Sequence, residues 1–245
     1  MPYSRTPVYI PYDLTSPNMG ADNVMSDLCS NGVLTESIVF PALDAKTKHS
    51  SVTLSENNLT HTGTDGDTDT NTKVNFPMPS TGKFYFEFLS RSSAGMYVGF
   101  SEGTVGSAES GNSKSYLYYQ ANGNFYQTSG NASYGSSWTT GDVIGVAIDM
   151  TNGGDLWFAK NNTWQNSATA SEIAAGTVTN AALANIMSSN YDGSGMFVAL
   201  GDSSASGKGT LIFDSKGWTY SPPTGFGELT RTITGIGNFW TLNPL

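Results

Sequence analysis

Few residues of this sequence have the types and spacing of a catalytic centre. Ser203 follows Gly201 and Asp202 in a pattern typical of a nucleophilic serine, but such a serine needs a histidine to take its proton. The two histidines, His49 and His61, both lie far upstream. The sequence therefore predicts no catalysis at Ser203, and we expect the protein not to be an enzyme.

Two other polar segments could hold an ion. Gly207–Thr210 has some features of a phosphate loop, but Lys208 is followed by glycine where Ser or Thr is needed. Asp65, Asp67 and Asp69 stand at alternate positions, and three carboxylates so spaced could bind calcium. The EF-hand pattern fails around them, so a solvated loop is the favoured interpretation. No ligand pattern for zinc surrounds the histidines, and we predict neither a metal site nor a cofactor.

A binding site is better supported than a catalytic one. Between residues 116 and 138, aromatic side chains alternate with amides, a combination suited to a protein interface or to stacking against a sugar. The alternative for any single ring is an ordinary place in the core. The candidate binding residues are Tyr118, Tyr119, Asn122, Asn124, Tyr126, Tyr134, Trp138 and Trp164.

The charge of the chain is low and scattered. Charged residues make up 13% of the sequence, and the formal net charge is −9. The 11 Lys and Arg residues form no run, which argues against a nucleic-acid partner because phosphate contacts need concentrated positive charge. The single cysteine, Cys29, excludes an intrachain disulfide. No apolar signal region is visible at the N-terminus, and no apolar run approaches the about 20 residues that span a membrane.

Composition and proline placement divide the chain into three parts. The 28 glycines and 10 prolines favour an all-β fold with many turns. Residues 1–42 are predicted to form an extended arm for docking or oligomerisation, because proline removes donors from a β-ladder; a disordered tail is the alternative. A short helix could lie between Asn18 and Gly32. Residues 43–222 are predicted to form a β-sandwich, and residues 223–245 a C-terminal tail.

Alternating side chains predict the strands and their faces. The hairpin within residues 141–165 has a wholly apolar row that should face the core and a second row, of small residues, that should face water. The core row consists of Ile144, Val146, Ile148 and Met150. Gly153 and Gly154 supply positive φ at its turn. Residues 171–190 are a helical or long-loop insertion. Together these patterns predict an antiparallel two-sheet β-sandwich.

The same hairpin resembles the signature hairpin of SPRY (B30.2-like) domains. The matching residues are Gly141, Asp142, Ile144, Gly145, Asp149, Phe158, Lys160 and Asn161. Segments 82–101 and 195–214 resemble flanking strands of the family, although Phe213-Asp214 replaces the more usual Asn-Phe-Gly, and the resemblance extends over about residues 50–222. It implies a concanavalin-like, bent sandwich of two antiparallel sheets that binds proteins, or sometimes glycans, through loops at one end.

The Thr-, Asn- and Gly-rich style of the sequence is similar to that of SPRY modules in bacteriophage structural proteins. This similarity implies a non-catalytic virion structural or decoration protein, part of a capsid fibre or tail. Its expected partners are other virion proteins or copies of itself, with a host-surface glycan or protein as further candidates. We expect no nucleic-acid partner and no insertion into a membrane. Such a protein is made in the host cytoplasm and is located on the surface of the extracellular particle. A free carbohydrate- or peptide-binding module is the alternative.

Overall fold

The computed structural model describes residues 37–64, 70–93, 95–104, 114–127, 130–188, 191–204 and 206–233. These residues belong to two compact units: residues 42–229 form the larger, and the smaller includes 37–41 and 230–233. The helix expected between Asn18 and Gly32, most of the predicted arm, and Asp65, Asp67 and Asp69 lie outside the described residues.

Almost all of the regular structure is β-strand. In chain order the strands are β1 (Ser37–Val39), β2 (Val52–Ser55), β3 (Thr60–Gly63), β4 (Thr70–Lys73), β5 (Lys83–Ser90), β6 (Met96–Glu102), β7 (Ser115–Tyr119), β8 (Asn124–Gln127), β9 (Gly130–Ser133), β10 (Val143–Asp149), β11 (Asp155–Lys160), β12 (Thr163–Trp164), β13 (Met196–Asp202), β14 (Lys208–Ile212), β15 (Gly227–Glu228) and β16 (Arg231–Ile233). The α-helix, α1, is Ala170–Ala174, and short 3-10 helices cover Met150–Asn152 and Ser215–Gly217.

Two antiparallel sheets make up the larger unit. The eight-stranded sheet has the order β12-β11-β10-β5-β14-β3-β2, with β15 added in parallel beside β5. The six-stranded sheet has the order β4-β13-β6-β7-β8-β9. The predicted all-β, antiparallel two-sheet architecture is confirmed. In the smaller unit β1 pairs with β16.

Aromatic side chains from both sheets meet in the core. Phe86 of β5 lies 6.0 Å from Phe100 of β6 between ring centroids, and Phe158 of β11 lies 5.2 Å from Tyr118 of β7. All four side chains are fully buried. Burying a large apolar side chain stabilises the fold by about 1.5–3 kcal/mol, so these rings fix the packing of one sheet on the other.

The β10–β11 hairpin has the predicted inward row and the predicted turn. Ile144, Val146 and Ile148 are fully buried. Gly153 and Gly154 have φ of 85° and 93°, a conformation that glycine adopts without strain. Asp149 accepts a hydrogen bond from the Thr151 amide and so caps the 3-10 helix in the turn.

The second row of this hairpin is also buried, which corrects the prediction that it faces water. Ala147 and Trp157 belong to a cluster with Tyr85, Ala168, Ile173 and Phe226, and Trp164, Ala181 and Trp218 pack against that cluster. The helix α1 carries Ile173 into the cluster and begins at a capping box formed by Thr169 and Glu172. Segments that follow the hairpin in sequence therefore cover the outer face of the eight-stranded sheet.

Residues 223–229, placed by sequence in the tail, lie within the larger unit. Phe226 and Leu229 are buried, and β15 pairs with β5. Within the described part of the chain, the helices are too short and too polar to cross a membrane.

Candidate functional site

The outer face of the six-stranded sheet carries three tyrosines in one group. Because successive side chains of a strand point to opposite faces, Tyr97 faces outward while Val98 faces the core. Tyr97 stands opposite Tyr119 of β7, and Leu117 of the same strand stands opposite Tyr126 of β8. We call this group, together with two neighbouring amides, the tyrosine surface: Tyr97, Tyr119, Tyr126, Asn124 and Asn131.

The three rings hold one another in place. The rings of Tyr97 and Tyr119 are stacked, with centroids 4.2 Å apart and planes 14° apart. Tyr126 stands nearly perpendicular to both, with its centroid 5.6 Å from Tyr97 and 5.5 Å from Tyr119. Tyr97 and the neighbouring Leu117 are buried, whereas Tyr119 and Tyr126 are half-buried. The surface therefore offers ring edges and hydroxyl groups in a fixed arrangement.

Polar contacts orient the rim of the tyrosine surface. The Tyr119 hydroxyl lies 3.0 Å from Ser203 Oγ, which is within hydrogen-bond distance. The main-chain amide of Asn124 donates a hydrogen bond of 2.9 Å to Asn122 Oδ1, and the side-chain Nδ2 of Asn124 lies 3.5 Å from Asn131 Oδ1. The amides therefore border the rings and have capacity left for a ligand.

Three strands of the six-stranded sheet carry no charged side chain. Residues 115–141, which include β7, β8 and β9, contain no Asp, Glu, Lys, Arg or His. The centres of protein interfaces are likewise depleted of charge and enriched in tyrosine. This segment is therefore suited to a contact that is not directed by charge.

Three of the candidate residues lie in the core, which corrects the expectation that their rings are exposed. Tyr118, Tyr134 and Trp138 are all buried. The Tyr118 hydroxyl donates to the Ser136 carbonyl, and Tyr134 accepts a 3.1 Å hydrogen bond from the Phe158 amide. Burial raises the pKa of both tyrosines above the ordinary value. Tyr118 turns inward because it is adjacent in β7 to Tyr119, which points outward.

Two other candidate binding residues lie on opposite sides of the sandwich. Asn122 is exposed in the β7–β8 turn, next to the tyrosine surface. Trp164 is half-buried on the opposite side of the sandwich, with its ring centroid 6.5 Å from Tyr85. Tyr97, a member of the tyrosine surface, was absent from the candidate set. The alternation of β6 around Val98 was the signal that could have identified it.

The residues considered for catalysis and metal binding make contacts within the fold. His61 Nε2 lies 3.4 Å from Asp202 Oδ2, and both side chains are fully buried between strands. Ser203 Oγ contacts Tyr119, and it donates to the Gly95 carbonyl at 3.2 Å. Among the described residues, no three His, Cys, Asp or Glu side chains group as a metal site requires.

The signature residues of the hairpin have a structural role. Asp142 accepts hydrogen bonds from Asn161 Nδ2 at 2.7 Å and from the Thr139 amide at 2.8 Å, and it forms an ion pair with Lys160. Asn161 Oδ1 in turn accepts from the Val143 amide. Burial opposes ionisation, but the Asn161, Thr139 and Lys160 contacts lower the pKa of Asp142 below its ordinary value. These residues close the open end of the hairpin.

Comparison with known proteins agrees with this architecture. The SPRY domain family model matches residues 83–192, from the start of β5 to the segment before β13. The crystal structure of the SPRY domain of human HERC1 is similar in fold, with a TM-score of 0.55 and 19% sequence identity, over 70% of this chain and 97% of that chain. No curated protein matches the sequence.

Proposed function

We propose that this chain is a non-catalytic binding protein and that the tyrosine surface holds its partner protein. The observation that carries the proposal is the group of three packed tyrosine rings, two of them half-buried, beside strands without charge. Large rings with polar tips contribute strongly to protein interfaces. The match to the SPRY domain supports the same class of function, because SPRY domains generally mediate protein–protein interactions.

The arrangement also limits the entropic cost of binding. Tyr119 is held by stacking on Tyr97 and by its contact with Ser203, so it loses little rotamer freedom when a partner arrives. Ordering a mobile side chain at an interface costs about 0.5–1.5 kcal/mol, and a ring already fixed avoids most of that cost. Tyr126 is fixed in the same way by its edge contacts with both rings.

The test is comparative affinity capture with a double variant. Immobilised wild-type protein, Tyr119→Ala/Tyr126→Ala and Tyr220→Ala are each exposed to the same extract of the source cells or particles. Tyr220 is a half-buried tyrosine outside the tyrosine surface and serves as the matched control. We expect one partner to be retained by the wild type and the control and lost by the double variant. Retention of every captured protein by the double variant would contradict the proposal.

The finer proposal is that the binding protein is a virion component, a structural or decoration subunit of a capsid fibre or tail. Its support is the sequence: a low charge content of 13% and a Thr-, Asn- and Gly-rich style similar to phage SPRY modules. Residues 1–42 would dock the subunit to the particle, and the sandwich would face outward at the particle surface. Proteomics of purified particles tests the location. Detection only in the soluble fraction of infected cells would count against it.

A free carbohydrate-binding module is the second candidate, since the tyrosine surface combines rings with the amides of Asn124 and Asn131. Sugars stack on aromatic faces and hydrogen-bond to amides. A glycan array with wild type and the Tyr119→Ala/Tyr126→Ala variant decides between them. Saturable binding of a sugar that the variant loses would favour this second function over a protein partner.

A further inference from the structure

The strand β9 is an open edge of the six-stranded sheet. Within the described residues it pairs with β8 alone, and all four of its residues are exposed. In an antiparallel ladder every second residue of an edge strand directs its amide and carbonyl groups away from the sheet. Such a row of unpaired groups is a template for another strand.

Within the described residues, the other edge strands of the two larger sheets are protected and β9 is not. At the β2 edge, Lys48 Nζ donates a 2.6 Å hydrogen bond to the Val52 carbonyl and places a charge there. At the β4 edge the Asp44 amide donates a 2.8 Å hydrogen bond to the Lys73 carbonyl, so a neighbouring segment covers it, and β12 is only two residues long. Lysine and very short strands are the usual means by which proteins block edge-to-edge pairing. The Gly-Asn-Ala-Ser sequence of β9 has neither charge nor proline.

We propose that β9 pairs antiparallel with β9 of a second copy of this chain, across a two-fold axis perpendicular to the sheet. A strand paired with itself in this way is self-complementary, as a two-fold interface requires. The net charge of −9 makes two copies repel each other over most of their surface. The charge-free segment 115–141, in which β9 lies, is a part where they can approach without like-charge contacts.

The pairing would join two tyrosine surfaces on one face of a continuous sheet. Asn131 of β9 stands opposite Tyr126 of β8, so the tyrosine surface reaches the proposed dimer edge. With strands about 4.8 Å apart, the β8 strands of the two copies would lie about 14 Å apart. A dimer would thus present a double site to one partner or to a repeating surface. The self-association does not depend on the function proposed above.

Analytical ultracentrifugation of the full chain tests the proposal. Because the edge is short, we expect a weak dimer with a Kd on the order of 10–100 μM, measured from about 1 μM to about 1 mM protein. Asn131→Lys and Ala132→Lys, which place a charge on either face of β9, should raise the Kd at least about tenfold. Thr53→Lys adds the same charge to an exposed position of β2 and should leave the Kd within about twofold.

A second readout locates the interface. In a Cys29→Ser background, Asn131→Cys should give a disulfide-linked dimer under mild oxidation, whereas Thr53→Cys should not. Raising the salt concentration should strengthen the dimer, because it screens the general repulsion. A wild-type protein that stays monomeric throughout this range overturns the proposal, and so does a dimer equally insensitive to all the lysine variants. Loss of tyrosine-surface binding in the capture experiment has no bearing on either result.

Discussion

The two outer faces of the sandwich follow the same alternation of strand residues, but within the described residues a helix and loops cover the outer face of the eight-stranded sheet alone. On the eight-stranded sheet, Trp157 packs with Ile173 of α1 and with Phe226 near the end of the larger unit. On the six-stranded sheet, Tyr119 and Tyr126 remain half-buried. The comparison shows that segments outside the strands determine which outer face stays partly exposed.

A buried carboxyl group organises the covered face. Glu87 is fully buried and accepts hydrogen bonds from the Tyr85 hydroxyl at 3.0 Å, the Thr219 amide at 2.6 Å and the Tyr220 amide at 2.8 Å. Gly145 makes room for this network, since a Cβ there would lie 2.7 Å from the Tyr85 hydroxyl. The covered face therefore uses these polar groups internally.

Glu87→Ala should have the largest effect on stability, because it disrupts the packing on the covered face of the eight-stranded sheet. It leaves the Tyr85 hydroxyl and two main-chain amides without their acceptor, and each unsatisfied group costs about 1–3 kcal/mol. We expect the free energy of unfolding in urea to fall by about 3–5 kcal/mol. Glu56→Ala removes a carboxyl group that is largely exposed and should have a much smaller effect on stability. Equal losses in both variants would mean that Glu87 does not organise the face.

The second largest effect should be a loss of folding stability at alkaline pH, where the buried tyrosines ionise. Burial raises the pKa of Tyr85, Tyr118 and Tyr134 above the value of about 10 that they have when unfolded. Their stabilising effect is complete below that pH and is lost as the pH rises above it, by about 1 kcal/mol for each ring at one unit higher. Urea unfolding between pH 9 and pH 11 measures the loss, and absorbance at the phenolate band counts the rings. Full ionisation of all tyrosines in the folded protein near pH 10 would disagree with this.

Gly145→Ala should have a smaller effect, of about 1–3 kcal/mol, because the added methyl group pushes the Tyr85 hydroxyl from Glu87. Thermal unfolding of the variant measures it. Gly227→Ala places the same methyl group in open space within β15 and should change stability by about 0.5 kcal/mol or less. Equal stability of the two variants would contradict the prediction, because it would mean that a methyl group at position 145 does not displace the Tyr85 hydroxyl.

Tyr126→Ser should change stability least. The ring is half-buried and contacts mainly Tyr97 and Tyr119, so we expect a loss of about 1 kcal/mol in urea unfolding. Tyr118→Ser, which empties a fully buried site, should cost several times more. A large loss for Tyr126→Ser would show that the tyrosine surface is part of the core and not a site for a partner.

The strand pattern could be predicted from the sequence, while the exposure of single rings could not. The inward row of Ile144, Val146 and Ile148 follows from alternation and is confirmed. Tyr118 and Tyr119 are adjacent and chemically identical, so alternation requires that they face opposite sides without saying which side is the core. The sandwich decides this by burying Tyr118 against Phe158 and leaving Tyr119 on the outer face.

The hairpin signature was the strongest sequence signal, and its residues stabilise the hairpin rather than form the site. Asp142, Lys160 and Asn161 close the hairpin through contacts within a short stretch of chain, and local contacts leave a visible motif. The tyrosine surface joins Tyr97, Tyr119 and Tyr126 from three strands, and such a group has no spacing of its own in the sequence.

By itself, the sequence determined the all-β class, the inward rows, the turn glycines and the low charge, because these depend on residue type and on the two-residue period of a strand. Only the tertiary structure decided that α1 and residues 218–226 cover one outer face and that Tyr119 and Tyr126 remain half-buried on the other. The reason is that burial of an outer face depends on long-range packing of segments distant in the chain, and a local pattern does not encode that contact.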